Sequence, residues 1–139
     1  MPKNLTELGP YVFQLAKSPD IKITTLPAGL EIIPARAFEG CPNVKISTFG
    51  GANGESKLKS IGMNSFYNAG NGDEGGSLEE IIINYSVEKI ESNAFLGYAN
   101  TLQKVYFARS DENTLDVYGK TTSQMGFDDT KVEYGRLQN

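Results

Sequence analysis

A spacing constrains this chain more than any other feature. Leu30 is followed three residues on by Ile33 and five further by Phe38; the same offsets return in Leu58, Ile61, Phe66 and in Val87, Ile90, Phe95. A more degenerate copy runs through Leu5, Leu8 and Phe13. A unit this short cannot bury an apolar side alone, so copies in register must stack on one another. The phenylalanines then fall at one place in every unit, which predicts a spine of rings inside the fold. A small or branched residue precedes each ring (Val12, Ala37, Ser65, Ala94), and Ala16, Cys41, Ala69 or Tyr98 stands three positions after it. Most of these are core-sized fillers.

The second half of each unit reads as a strand with apolar anchors at relative positions one and six, and an apolar or small residue at four. These triplets are Ile21, Thr24, Leu26; Val44, Ser47, Phe49; Leu78, Ile81, Ile83; and Leu102, Val105, Phe107. Ile21 to Val44 sets a basic period of 23 residues. Five extra residues between Phe49 and Leu58, and six between Phe66 and Leu78, explain every longer spacing. Both insertions are glycine-rich, with Gly50, Gly51 and Gly54 in one and Gly70, Gly72, Gly75 and Gly76 in the other.

Side chains alternate across a strand, so positions three and five are expected to point outward. That places Ile23, Ile46, Glu80 and Lys104 in one outward row and Thr25, Thr48, Ile82 and Tyr106 in the next. Isoleucines on a solvent-facing row would form an apolar patch of the kind that marks a contact. An equal alternative is that isoleucine simply favours strands.

The strings IIPARAFEGCPNVKISTF, IGMNSF, IIINYSVEKIESNAFLGYANTLQKVYF and LGPYVFQLAKSPDIKITTLP together resemble the BspA-like leucine-rich repeats, also called the Treponema pallidum type, of bacterial surface proteins and some protozoan ones. The resemblance covers residues 5 to 107. Thr24 and Ser47 depart from it by replacing the usual aliphatic residue, and only Leu26 is followed by the family's proline, Pro27. It implies a repeat solenoid of the α/β leucine-rich class, with parallel strands on a concave face and short helical or irregular segments on the convex one. The repeats are expected at about 5–29, 30–57, 58–86 and 87–107. Residues 108–139 are read as a degenerate terminal repeat and cap, with strand-like LDVY and KVEY, making residues 1–139 a single domain. The opening segment TELGPYVFQLAKS is expected to be a short helix that serves as both first repeat and cap, with Pro10 near its first turn.

Composition narrows the chemistry. The 139 residues contain no histidine, so neither a Ser-His-Asp nor a Cys-His nucleophile can be assembled, and zinc loses its commonest nitrogen ligand. Cys41, the single cysteine, falls on a small core position and is expected to be a buried structural thiol. Glu79 and Glu80 are adjacent on a strand and point apart, a poor geometry for acid–base work. Asn68, Asn71, Asp73 and Glu74 carry oxygen ligands, but their spacing matches neither an EF-hand nor a nonapeptide calcium repeat. No catalytic residue, metal site or cofactor is therefore expected.

The 13 basic and 17 acidic residues are mixed along the chain, giving −4, which disfavours nucleic acid and polybasic membrane contact. No apolar run is long enough for membrane insertion or reads as a signal peptide. The family resemblance suggests a cell-surface or secreted location all the same. The leading functional expectation is a non-catalytic protein-binding or adhesion module, using the concave strand face and the glycine-rich loops; the resemblance implies attachment to host matrix or to other cells. The alternative is self-assembly as a structural component of a larger assembly, such as a phage particle or a multi-domain surface protein. A glycan bound through Tyr85, Tyr98 or Tyr106 is the less favoured partner.

Overall fold

A computed structural model describes residues 23–51, 56–72, 77–109, 115 and 117–135. Each coil of the chain alternates two short strands with a tight turn. Strands β1 (Ile32–Ile33), β3 (Ser60–Ile61) and β5 (Lys89–Ile90) form one parallel ladder. Strands β2 (Thr48–Phe49), β4 (Glu80–Ile83), β6 (Lys104–Phe107) and β7 (Val132–Tyr134) form the other. The result is a parallel β-solenoid of about three turns. Ile33, Ile61 and Ile90 point inward from the first ladder, and Phe49, Ile83 and Phe107 from the second.

The convex segments are turn arrays, not helices. Arg36, Phe38 and Gly40 donate their amides to the carbonyls of Met63, Ser65 and Tyr67 in the next coil at 2.9, 2.7 and 2.8 Å. The intervening Ala37, Glu39 and Cys41 donate back to Pro34, Arg36 and Phe38. Successive amides thus alternate between neighbouring coil and own coil, which satisfies backbone groups that burial would otherwise orphan. The geometry needs left-handed residues at fixed places: Arg36, Asn64 and Asn93 have φ of 61°, 55° and 56°, and Gly40, Asn68 and Gly97 have 71°, 53° and 74°. Asparagine and glycine tolerate that conformation best.

The predicted spine is present. Phe38 stacks on Phe66 at 5.2 Å, Phe66 on Phe95 at 5.3 Å, and Phe95 on Phe127 at 4.7 Å between ring centroids. All four rings are buried. Phe127 thus continues the column into the terminal segment, where Val132–Tyr134 of KVEY pairs as β7 beside β6. Leu115, Val117 and Tyr118, the described residues of LDVY, form no strand. Residues 115, 117 and 118 are helical, closed by the Gly119 amide on the Leu115 carbonyl at 2.8 Å, and this turn seats the Tyr118 ring 5.1 Å from Phe107. At the base of β7 a short 3-10 turn, Asp129–Lys131, is capped by Asp128, whose carboxylate accepts from the amide and hydroxyl of Thr130. Those bonds hold the Asp128 carboxyl below its ordinary range.

Two outward assignments are corrected. Ile46 is fully buried, and Ile23 is buried too, whereas Thr24, Thr25, Ser47 and Thr48 are exposed. For Ile46 the cause is the polar residue at position four. Burying a hydroxyl without a partner costs free energy that an aliphatic side chain does not. The chain therefore turns Ser47 out beside Thr48 and buries Ile46 in its stead. In the first unit Ile23 bridges to Val44, two residues displaced from the expected Ile21–Val44 match, so Ile23 takes the anchor place.

The exchange leaves Ile46 without regular strand pairing, and the Tyr98 hydroxyl compensates. It accepts from the Ile46 amide at 2.7 Å and donates to the Ile46 carbonyl at 2.8 Å. Tyr98 occupies the slot that Cys41 and Ala69 fill in earlier coils, and it reaches past Gly70, where an added Cβ would lie 3.0 Å from its ring. Burial raises the Tyr98 pKa well above the ordinary tyrosine value, against a smaller opposing effect of the bond to Ile46. The expected opening helix, Phe13 and Ile21 lie outside the described residues.

Candidate binding face

Parallel pairing decides which outward residues share a row. β4 and β6 pair over four residues, so Glu80 lies opposite Lys104 and Ile82 opposite Tyr106. β2 extends the second row to Thr48 and β7 extends it to Glu133. Thr48, Ile82, Tyr106 and Glu133 are therefore one continuous column across four strands, flanked by Glu80 and Lys104.

Ile82 and Tyr106 are half-buried, while Thr48, Glu80 and Glu133 are exposed. Lys104 reaches Glu133 with Nζ 3.1 Å from Oε2 and lies 5.6 Å from the Tyr106 ring centroid. The Tyr106 hydroxyl packs against Gly135, where even a methyl group would meet it at 2.6 Å. The face is thus an aliphatic and aromatic pair within a rim of threonine and opposed charges.

Of the eight residues the sequence pattern placed here, Thr48, Glu80, Ile82, Lys104 and Tyr106 come together on this ladder. Thr25 is exposed but belongs to no strand of it, and Ile23 and Ile46 are in the core. The expected row of outward isoleucines reduces to Ile82. Sequence reasoning missed Glu133, whose place follows only once KVEY is paired with β6.

The described ends of the insertions are packed rather than loose. Gly50 has φ 79°, and a side chain there would strike Ser86 and Val87 within 2.7 Å. Asn71 donates to the Gly97 carbonyl at 2.9 Å and accepts from the Asn100 amide at 2.6 Å, so its amide joins two coils. Asp73 and Glu74, the other oxygen-bearing candidates, lie outside the described residues. Among the described residues no cluster of metal-ligating side chains occurs, and no helix is long and apolar enough to cross a membrane.

A family model matches over most of the chain: the BspA type Leucine rich repeat region, in six copies over residues 1–118. The chain belongs to the BspA-type leucine-rich-repeat family. Six copies exceed the four that the strict offsets mark, and the match reaches Tyr118, beyond the last of them. No curated protein and no solved structure is detectably similar to the chain. As a BspA-type repeat protein it belongs to a class whose members generally serve as binding scaffolds rather than catalysts.

Proposed function

We propose that this chain is a single-domain, non-catalytic protein-binding module that engages its partner through the outward face of β2, β4, β6 and β7. The observation that carries this reading is the column Thr48, Ile82, Tyr106 and Glu133, which brings residues from four strands into one strip. Its apolar centre and charged rim match the usual anatomy of a protein interface, where aromatic residues concentrate centrally and charges are displaced to the edge. Attachment to extracellular matrix or to cells is the finer form of this reading and rests on the family. The glycine-rich insertions are proposed as accessory contacts.

Surface plasmon resonance over immobilised extracellular-matrix proteins tests the proposal. Glu80→Lys with Ile82→Lys should weaken binding at least tenfold, about 1.4 kcal/mol, while leaving the melting temperature within a few degrees. Equal binding by both proteins rules out this face. Concentration-dependent oligomers that the same double variant dissolves would instead make the chain a self-assembling structural component.

A further inference from the structure

A second surface lies at the corner between the two ladders. A groove of about 710 Å³ crosses the coils there, a size ordinary for ligand sites. Lys57 and Arg109 stand in it, and among the described residues neither has a carboxylate within ion-pairing distance. This is notable in a chain of net charge −4, where cations usually find acidic neighbours.

Arg109 is held rigidly. Its guanidinium donates to the carbonyls of Tyr85 and Val87 and lies 5.6 Å from the Tyr85 ring centroid and 5.5 Å from that of Tyr118. Its Nε is buried without an acceptor, so the cation is fixed in place with no carboxylate partner among the described residues. A fixed guanidinium loses little side-chain entropy when it meets a carboxylate. Lys59 adds a third cation, tied to Glu31 only by an exposed contact of 3.8 Å, which is worth little.

The groove is not uniformly positive. Glu31 and Glu88 also line it, the Glu88 amide donating to the Lys59 carbonyl, and Tyr85 in the same groove is 40% exposed. A ligand fitting all of these groups carries carboxylates for Lys57 and Arg109, an N–H donor for Glu88 and an apolar side chain for Tyr85. An extended acidic peptide has all three.

We infer that this corner groove binds an acidic peptide segment of a partner protein. The site is separate from the strand face, so either can fail without the other. The probe is a fluorescein-labelled peptide of alternating aspartate and leucine, compared with its asparagine counterpart by fluorescence anisotropy. The acidic peptide should bind in a salt-dependent way, and the asparagine peptide at least tenfold more weakly. Lys57→Glu with Lys59→Glu, at two exposed positions, should weaken the acidic peptide at least tenfold with an unchanged thermal midpoint. Glu80→Lys with Ile82→Lys should leave it unaffected. Three results overturn the inference: no binding of the acidic peptide up to about 1 mM, equal affinity for the lysine double variant, or tighter binding of a heparin-derived oligosaccharide at the same lysines, which would make the groove a glycan site.

Discussion

The stretch from Ile23 to Phe49 and the stretch from Leu78 to Phe107 carry the same repeat, yet they are built differently. In the later stretch β4 and β6 pair over four residues with strict alternation of inward and outward side chains. In the earlier one the corresponding pairing shrinks to the isolated Ile23–Val44 bridge and the two-residue β2. The difference traces to position four. Ile81 and Val105 fill it with an aliphatic side chain, whereas Ser47 does not, and the chain there buries the preceding Ile46; in the first unit Ile23 takes the anchor place opposite Val44 instead. A polar substitution in a repeat thus need not loosen the core, since a neighbouring apolar residue can take its place at the expense of strand pairing.

The sharpest way to break this comparison is one substitution made at two places. Ile46→Lys should abolish cooperative unfolding, because it buries an unpaired charge, while Ile82→Lys should leave the thermal midpoint nearly unchanged. Circular-dichroism melts of both decide it. Equal tolerance would mean that Ile46 faces water and the early strand is regular after all.

Next in size is the spine that both stretches share. Phe66 lies between Phe38 and Phe95 and is fully buried. Phe66→Ala should cost about 3–5 kcal/mol in urea denaturation. An unchanged midpoint would show that the rings do not carry the stack.

The smallest effect concerns the group that bridges the two stretches. Tyr98→Phe should cost about 1–3 kcal/mol, since it strips the amide and carbonyl of Ile46 of their partner. The same tyrosine gives a pH test. Its folded pKa is raised, so its contribution is intact below the unfolded value of about 10 and is lost as pH rises from there toward the folded value. Tyr118, which burial pushes up to about 12 against the pull of Arg109, acts in the same direction. Alkaline titration at the tyrosinate band should show these hydroxyls ionising only with unfolding, and Tyr98→Phe should blunt the alkaline loss of stability.

Much of the architecture was legible because one signal repeats. Phenylalanines five residues beyond an aliphatic anchor fixed the spine, and the insertion lengths kept the register across both interruptions. Ile23 and Ile46 were misplaced because one strand template was applied to all units. The corrective signal was present: in both early units an isoleucine stands directly before the polar residue at position four. Tyr98 was visible as a misfit beside Cys41 and Ala69, but its reach to Ile46 depends on the glycine at position 70 and on coil geometry that no spacing encodes. LDVY misled because it alternates like a strand over a length that a helical turn can also use. Lys57, Tyr85 and Arg109 come from different coils, and only the stacking offset brings them to one corner.

The bond between Tyr98 and Ile46 has a consequence for how the molecule comes apart. In an ordinary solenoid each coil touches only its neighbours, so end coils can fray singly and stability is a sum of adjacent terms. Here a hydroxyl on one coil secures the backbone of another 52 residues earlier in the chain. Peeling away the coil that contains Tyr98 uncovers the Ile46 amide as well. The amides of Ile46 and Phe95 should therefore exchange with deuterium at matching rates, and the stretch between them should open as a single event.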